Sequence, residues 1–163
     1  MTPALKKPVM APVICIVGKS GSGKTRLMTG LIRELKARGK KVGAIKHHAH
    51  GDFEIDIEGK DTWKFAEAGA DSVAISSPVK FAVINRVEAE LPPDALCEYM
   101  RGLDVVLAEG FTLSGEPRII IAGSGEDVEL FSRGRDVVAV VGKDGLNDII
   151  GIADRVEEFL KTG

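Results

Sequence analysis

The sequence predicts a three-layer α/β fold, a mostly parallel central sheet with helices on both faces. Short apolar runs such as Val13-Ile14-Cys15-Ile16-Val17 suit strands buried on both faces. Stretches of helical periodicity alternate with such runs, and a glycine-rich turn joins the first strand directly to the first helix.

After Val13–Val17, apolar side chains recur at Leu27, Met28, Leu31, Ile32 and Leu35 among charged ones, a helix that Gly39 ends. Lys41 to Lys46 reads as the second strand, and the polar stretch His47 to Gly59 as a loop. Asp61 or Thr62 caps a helix carrying Trp63, Ala66 and Ala70, which closes near Gly69. Ser72–Ser77 and Phe81–Ile84 read as strands of a hairpin turning at Pro78, and Pro92-Pro93-Asp94 starts a short helix through Leu96 and Met100. Asp104–Ala108 is a buried strand ending abruptly at Glu109-Gly110. Arg118–Ala122 and Val137–Val141 are further strands separated by a loop region, and Asp154–Lys161 is a final amphipathic helix.

The 163 residues fit one domain, assigned to 12–163 behind a flexible 1–11. A formal charge of −2, with both signs interspersed, lacks the broad positive field of a nucleic-acid binder. The two cysteines, Cys15 and Cys97, suit reduced thiols of a cytoplasmic protein. No apolar run approaches the roughly 18 residues of a membrane span, and the start lacks the apolar segment of a signal peptide. Neither a membrane nor a nucleic acid is therefore expected as a partner.

Gly18-Lys19-Ser20-Gly21-Ser22-Gly23-Lys24-Thr25 satisfies G-x-x-x-x-G-K-[ST] between a predicted strand and a predicted helix, the P-loop NTPase arrangement. Main-chain N–H groups of such a turn converge on phosphate oxygens, and the helix dipole adds to the field. Lys24 is the expected outer-phosphate cation and catalytic group, while the Thr25 hydroxyl suits Mg²⁺. Glu109, at the end of a buried strand, is the expected metal acid, and Gly110 is expected to let the backbone pass close to the phosphates.

The phosphate loop, Lys46-His47-His48, Gly59-Lys60-Asp61-Thr62 ahead of Ala68-Gly69-Ala70, and Glu109-Gly110-Phe111 occur in this order. With them the chain, from about residue 12 to 161, resembles the MobB family, the molybdopterin-guanine dinucleotide biosynthesis adapter proteins. The resemblance implies GTP binding with weak hydrolysis, a homodimer, and assistance to the MobA guanylyltransferase that attaches GMP to molybdopterin, with molybdopterin itself a candidate ligand. Residues 18–25 and Glu109 match the family by position; Gly51 and Thr112 depart from it, standing where a second His and a Lys are common. Lys19 completes the Lys-x-Gly-x-Gly-Lys-Thr pattern of dimeric relatives that lend this lysine across an interface. The alternative is an exposed loop lysine.

Other features leave readings open. His47, His48, His50, Asp52, Glu54 and Asp56 could form a zinc site, a nucleotide or cofactor loop with Asp56 or Asp52 orienting water, or a solvated surface. Of these, Asp56 is the catalytic candidate. Asp144 in Gly142-Lys143-Asp144-Gly145 could accept hydrogen bonds from guanine N1–H and the 2-amino group, or belong to a plain polar turn. Arg118, Arg133 and Arg135 could face a second anionic ligand such as a pterin phosphate, or be solvated. A GTP-binding adapter is the leading reading. The same loop and metal acid also suit a small-molecule kinase or a binding module without turnover.

Overall fold

A computed structural model describes residues 10–51 and 53–162. Of the proposed flexible segment 1–11, only residues 10 and 11 lie among them. Where the sequence suggests one domain over 12–163, the described backbone divides into two compact units, 10–47 with 91–162 and 48–90.

The larger unit is built on five parallel strands in the order β2-β5-β1-β6-β7. These are β1 (Val13–Gly18), β2 (Val42–Lys46), β5 (Val105–Glu109), β6 (Arg118–Ile121) and β7 (Val137–Val141). Alternation along β1 sends its side chains into separate layers. Ile14 and Ile16 pack with Leu27, Leu31 and Leu35 of α1 (Lys24–Ala37) and with Ile152, Ala153 and Val156 of α5 (Ile149–Thr162). Val13, Cys15 and Val17 pack on the other side with Cys97 of α3 (Pro93–Cys97) and Val128 and Phe131 of α4 (Gly125–Ser132). Helices thus cover both faces, as the sequence predicts, because strands buried on both sides can carry apolar residues without interruption.

α4 is a helix where the sequence reading placed a loop region. Its Gly-Glu-Asp start and eight residues give little periodicity, although the acidic Glu126 and Asp127 in its first turn favour the dipole. α5 begins at Ile149, ahead of the predicted Asp154, since the Asp148 carboxylate accepts the Gly151 N–H at 3.0 Å and satisfies an early orphan donor. α3 stops at Cys97, short of the predicted Met100.

The smaller unit holds α2 (Asp61–Glu67) and an antiparallel hairpin of β3 (Ser72–Ser76) and β4 (Phe81–Asn85). Both strands match the sequence prediction within a residue, while α2 ends at Glu67, short of the predicted Ala70. No residue of α2 is buried, and Val73 is the buried apolar residue of the hairpin. Ile75, Phe81 and Val83 are exposed at 58%, 75% and 48%, so the hairpin presents apolar surface on a two-stranded sheet with an unpaired edge on each side.

Candidate functional site

The parallel register sets the site before any side chain is considered. Val17 and Gly18 end the central strand β1, and Ile16 lies in register with Glu109 at the end of β5. Glu109 in turn pairs with Lys46 at the end of β2. Three segments therefore deliver the phosphate loop, Glu109 and Lys46 to the carboxyl edge of the sheet, where ligands of open α/β folds bind.

The glycine turn leads into α1 through Gly23, whose φ of 96° is in the left-handed region and which has no side chain to cap the helix. The Leu27 N–H bonds the Gly23 carbonyl at 2.9 Å; the N–H groups of the preceding helical turn have no intrahelical acceptor, by helix geometry. Lys24 Nζ donates to the Gly18 carbonyl at 3.0 Å and the Lys19 carbonyl at 2.8 Å, so its ammonium lies across the loop. Ser22 Oγ is buried without a hydrogen-bond partner. An orphaned hydroxyl, an uncapped helix start and an ammonium resting on neutral carbonyls together suit an incoming polyanion.

The Thr25 hydroxyl donates to both oxygens of the Glu109 carboxylate, at 3.0 and 2.9 Å. That leaves the threonine lone pairs for a hard cation, which the carboxylate can assist; the two residues fit Mg²⁺. Lys46 Nζ lies 3.5 Å from Glu109 Oε1 and supplies positive charge at the same carboxylate. Lys46 was legible only as part of a family pattern, since nothing local marks a lysine at a strand end.

Gly110 packs beside His47. Its φ is 91°, and a Cβ there would lie 2.9 Å from His47 Cβ, so the glycine makes room for His47. Phe111 follows with φ 53°, and its ring centroid is 5.0 Å from that of His47. This sharp turn after Glu109 is held by Arg118, which is fully buried. Its Nη1 donates to the carbonyls of Thr112 and Phe131, both at 3.1 Å, and Nη2 to Ser114 at 2.7 Å and Glu116 at 3.4 Å. Burial, with the Arg135 charge nearby, depresses the Arg118 pKa. Arg135 likewise donates to the Ser114, Leu113 and Arg133 carbonyls. The sequence offered Arg118 and Arg135 as partners for a second anion; their guanidinium groups instead bind main-chain oxygens.

Lys19 carries its ammonium sideways to the Asp127 carboxylate, 2.6 Å away. Asp127, which the sequence reading did not single out, is 4% exposed and also accepts the Gly123 N–H at 2.9 Å. The hydrogen bond from Lys19, then that from Gly123, depresses the Asp127 pKa, and Asp127 raises that of Lys19.

Asp144 opens a 3-10 turn, Asp144–Asn147, and is exposed. Leu146 of this turn abuts the phosphate loop: a Cβ on Gly23 would lie 3.0 Å from Leu146 Cδ1. The turn therefore stands beside the loop. Asp56 belongs to the smaller unit, half-buried, and its Oδ1 accepts the Ile57 N–H at 2.8 Å. Asp52 lies outside the described residues. Among the described residues, no three His, Cys, Asp or Glu side chains gather as a metal-binding set. No helix among them is long and apolar enough to cross a membrane.

A five-stranded parallel sheet whose central strand passes through a glycine loop into an uncapped helix, with a carboxylate at the end of the adjacent strand, defines a P-loop NTPase-like α/β protein. Comparison with known proteins narrows that class. Residues 13–143 match the family model described as MobB, molybdopterin guanine dinucleotide synthesis protein B. The molybdopterin-guanine dinucleotide biosynthesis adapter protein of Escherichia coli K12 is 34% identical over 167 residues, covering 93% of this chain and 95% of that one. The Haemophilus influenzae protein of the same name is 39% identical over 112 residues, 68% of this chain; the match spans only 62% of that protein's length. A crystal structure of molybdopterin-guanine biosynthesis protein B superposes with a TM-score of 0.75 at 34% identity, covering 91% of this chain and 99% of that one. Bacillus subtilis MobB, at 23% identity and a TM-score of 0.70 over 88% of this chain and 97% of that one, shares the fold. The chain belongs to the MobB family.

Proposed function

We propose that this chain is a GTP-binding adapter with slow hydrolysis that acts as a homodimer and assists MobA in attaching GMP to molybdopterin. The observation that carries the nucleotide reading is the pairing of Thr25 with Glu109 beside the uncapped start of α1. Lys24 leaves the loop carbonyls to bind the outer phosphates, and the amides of residues 18–25 orient them. Thr25 and Glu109 would hold Mg²⁺, which when bound neutralises charge on the phosphate oxygens. Asp144 is the candidate for reading guanine.

The pathway role rests on the family and on relatives named as biosynthesis adapters. The dimer has its own support in the hairpin, where exposed Ile75, Phe81 and Val83 suit burial by a second copy.

Equilibrium binding of GTP and ATP to wild type and Asp144→Ala, together with MobA-dependent GMP transfer to molybdopterin, tests the reading. Wild type should prefer GTP and stimulate transfer. Asp144→Ala should lose about 10- to 100-fold of the preference, the worth of one or two hydrogen bonds to a charged acceptor. An unchanged preference removes Asp144 from base recognition, and absence of GTP binding by wild type removes the reading itself.

A further inference from the structure

Asp127 and Arg118 are the two buried charged side chains among the described residues, and Asp127 is the acid. A buried carboxylate is costly unless paired and hydrogen-bonded, and Asp127 meets both needs with groups from separate segments. Oδ2 takes the Gly123 N–H at the junction of β6 and α4, and Oδ1 takes the Lys19 ammonium from the phosphate loop. The lysine contributes the mobile half of the pair, for its side chain is 67% exposed while that of Asp127 is 6% exposed. The residue thus clamped is also the one whose carbonyl receives Lys24. Both loop lysines therefore rest on acceptors of their own chain, Lys24 on neutral carbonyls and Lys19 on a full negative charge.

We propose that Asp127 is a positioning residue of the phosphate loop, an acceptor within the chain that competes with nucleotide phosphate for the Lys19 ammonium. The inference rests on the reading that residues 18–25 hold a triphosphate. A lysine is a point charge on a flexible stem and can serve either anion, but one ammonium cannot be fully committed to both. Binding then carries the cost of opening the Lys19–Asp127 pair, and the charge left on Asp127 opposes the incoming phosphates. Whether the phosphate belongs to the same chain or to a second copy, the competition is the same.

A double-mutant cycle on affinity for a non-hydrolysable GTP analogue tests this, with Asp127→Asn, Lys19→Ala and the double variant. Asparagine retains an oxygen for the Gly123 N–H but loses the charge. If Lys19 leaves Asp127 on binding, Asp127→Asn tightens binding by about three- to ten-fold more when Lys19 is present than when it is alanine. If Lys19 stays on Asp127, the gain with Lys19 is equal or smaller, because the pair contributes alike to both states; that result overturns the proposal. Lys24→Ala measured alongside separates the two levels of inference. Normal binding by Lys24→Ala would remove the phosphate-loop reading, whereas weakened binding with an absent Lys19–Asp127 coupling would remove only this proposal. Should Asp127→Asn fail to fold, the Lys19 side-chain ammonium can be followed by NMR in wild type. A Lys19 signal that shifts on adding the analogue supports release, and one that keeps its position at saturation contradicts it.

Discussion

Lys24→Ala should weaken triphosphate binding by at least about 100-fold while leaving the melting temperature near that of wild type. The asymmetry follows from what Lys24 touches. Its ammonium donates to the Gly18 and Lys19 carbonyls, which belong to a half-open loop. Water can replace it there at little cost, and alanine is the best helix former for the first position of α1. Toward a polyphosphate the same group makes charge-assisted hydrogen bonds worth about 1.5–3 kcal/mol each, and unlike Lys19 it carries no carboxylate partner among the described residues of the free protein. Titration with a fluorescent GTP analogue, paired with a thermal melt, measures both halves. Equal loss of binding and of stability would mean that Lys24 supports the fold rather than the ligand.

Arg118→Met should cost about 3–5 kcal/mol of stability, a large share of what a domain of this size possesses. Methionine fills a similar length, so the loss is not chiefly one of packing. It comes from the carbonyls of Thr112, Glu116 and Phe131, which lose the Arg118 donor in a partly buried setting, and from that of Ser114, which keeps only Arg135. Those carbonyls belong mainly to the turn after Glu109, where Phe111 is held at φ 53°, a conformation that a bulky side chain adopts at a cost. Freed of its clamp, the turn can relax and take Glu109 from Thr25. Arg118→Lys should recover only part of the loss, since a single ammonium cannot span both guanidinium branches. A urea midpoint within error of wild type for Arg118→Met would contradict this account of the turn.

What was legible in the sequence divides by distance along the chain. The phosphate loop declares itself because its chemistry needs consecutive residues between a strand and a helix, and β1 and α1 flank it as the apolar pattern predicts. Glu109 was legible because a wholly apolar strand ending in a carboxylate is a local pattern. The partners of these groups were not. Lys19 meets Asp127 because β6, which leads into α4, lies beside β1, and Arg118 meets the carbonyls of Thr112, Ser114 and Glu116 because the segment before it folds back over its side chain; no spacing reveals either. Arg118 in particular reads as a solvated cation beside Pro117; only the loop folded over β6 turns it inward. The approach of Gly110 to His47 joins segments far apart in the chain and was not legible. The hairpin was visible as two strand-like runs about the turn at Pro78, but its exposure was not, because such a run identifies a strand without saying what covers it.

A crystal structure of the chain with Mg²⁺ and a non-hydrolysable GTP analogue tests the central claim most directly. Phosphate oxygens should lie against the main-chain amides of residues 18–25, with Lys24 drawn off the Gly18 and Lys19 carbonyls and the metal beside Thr25 and Glu109. An analogue bound elsewhere, with Lys24 still on those carbonyls at saturating concentration, would contradict the account.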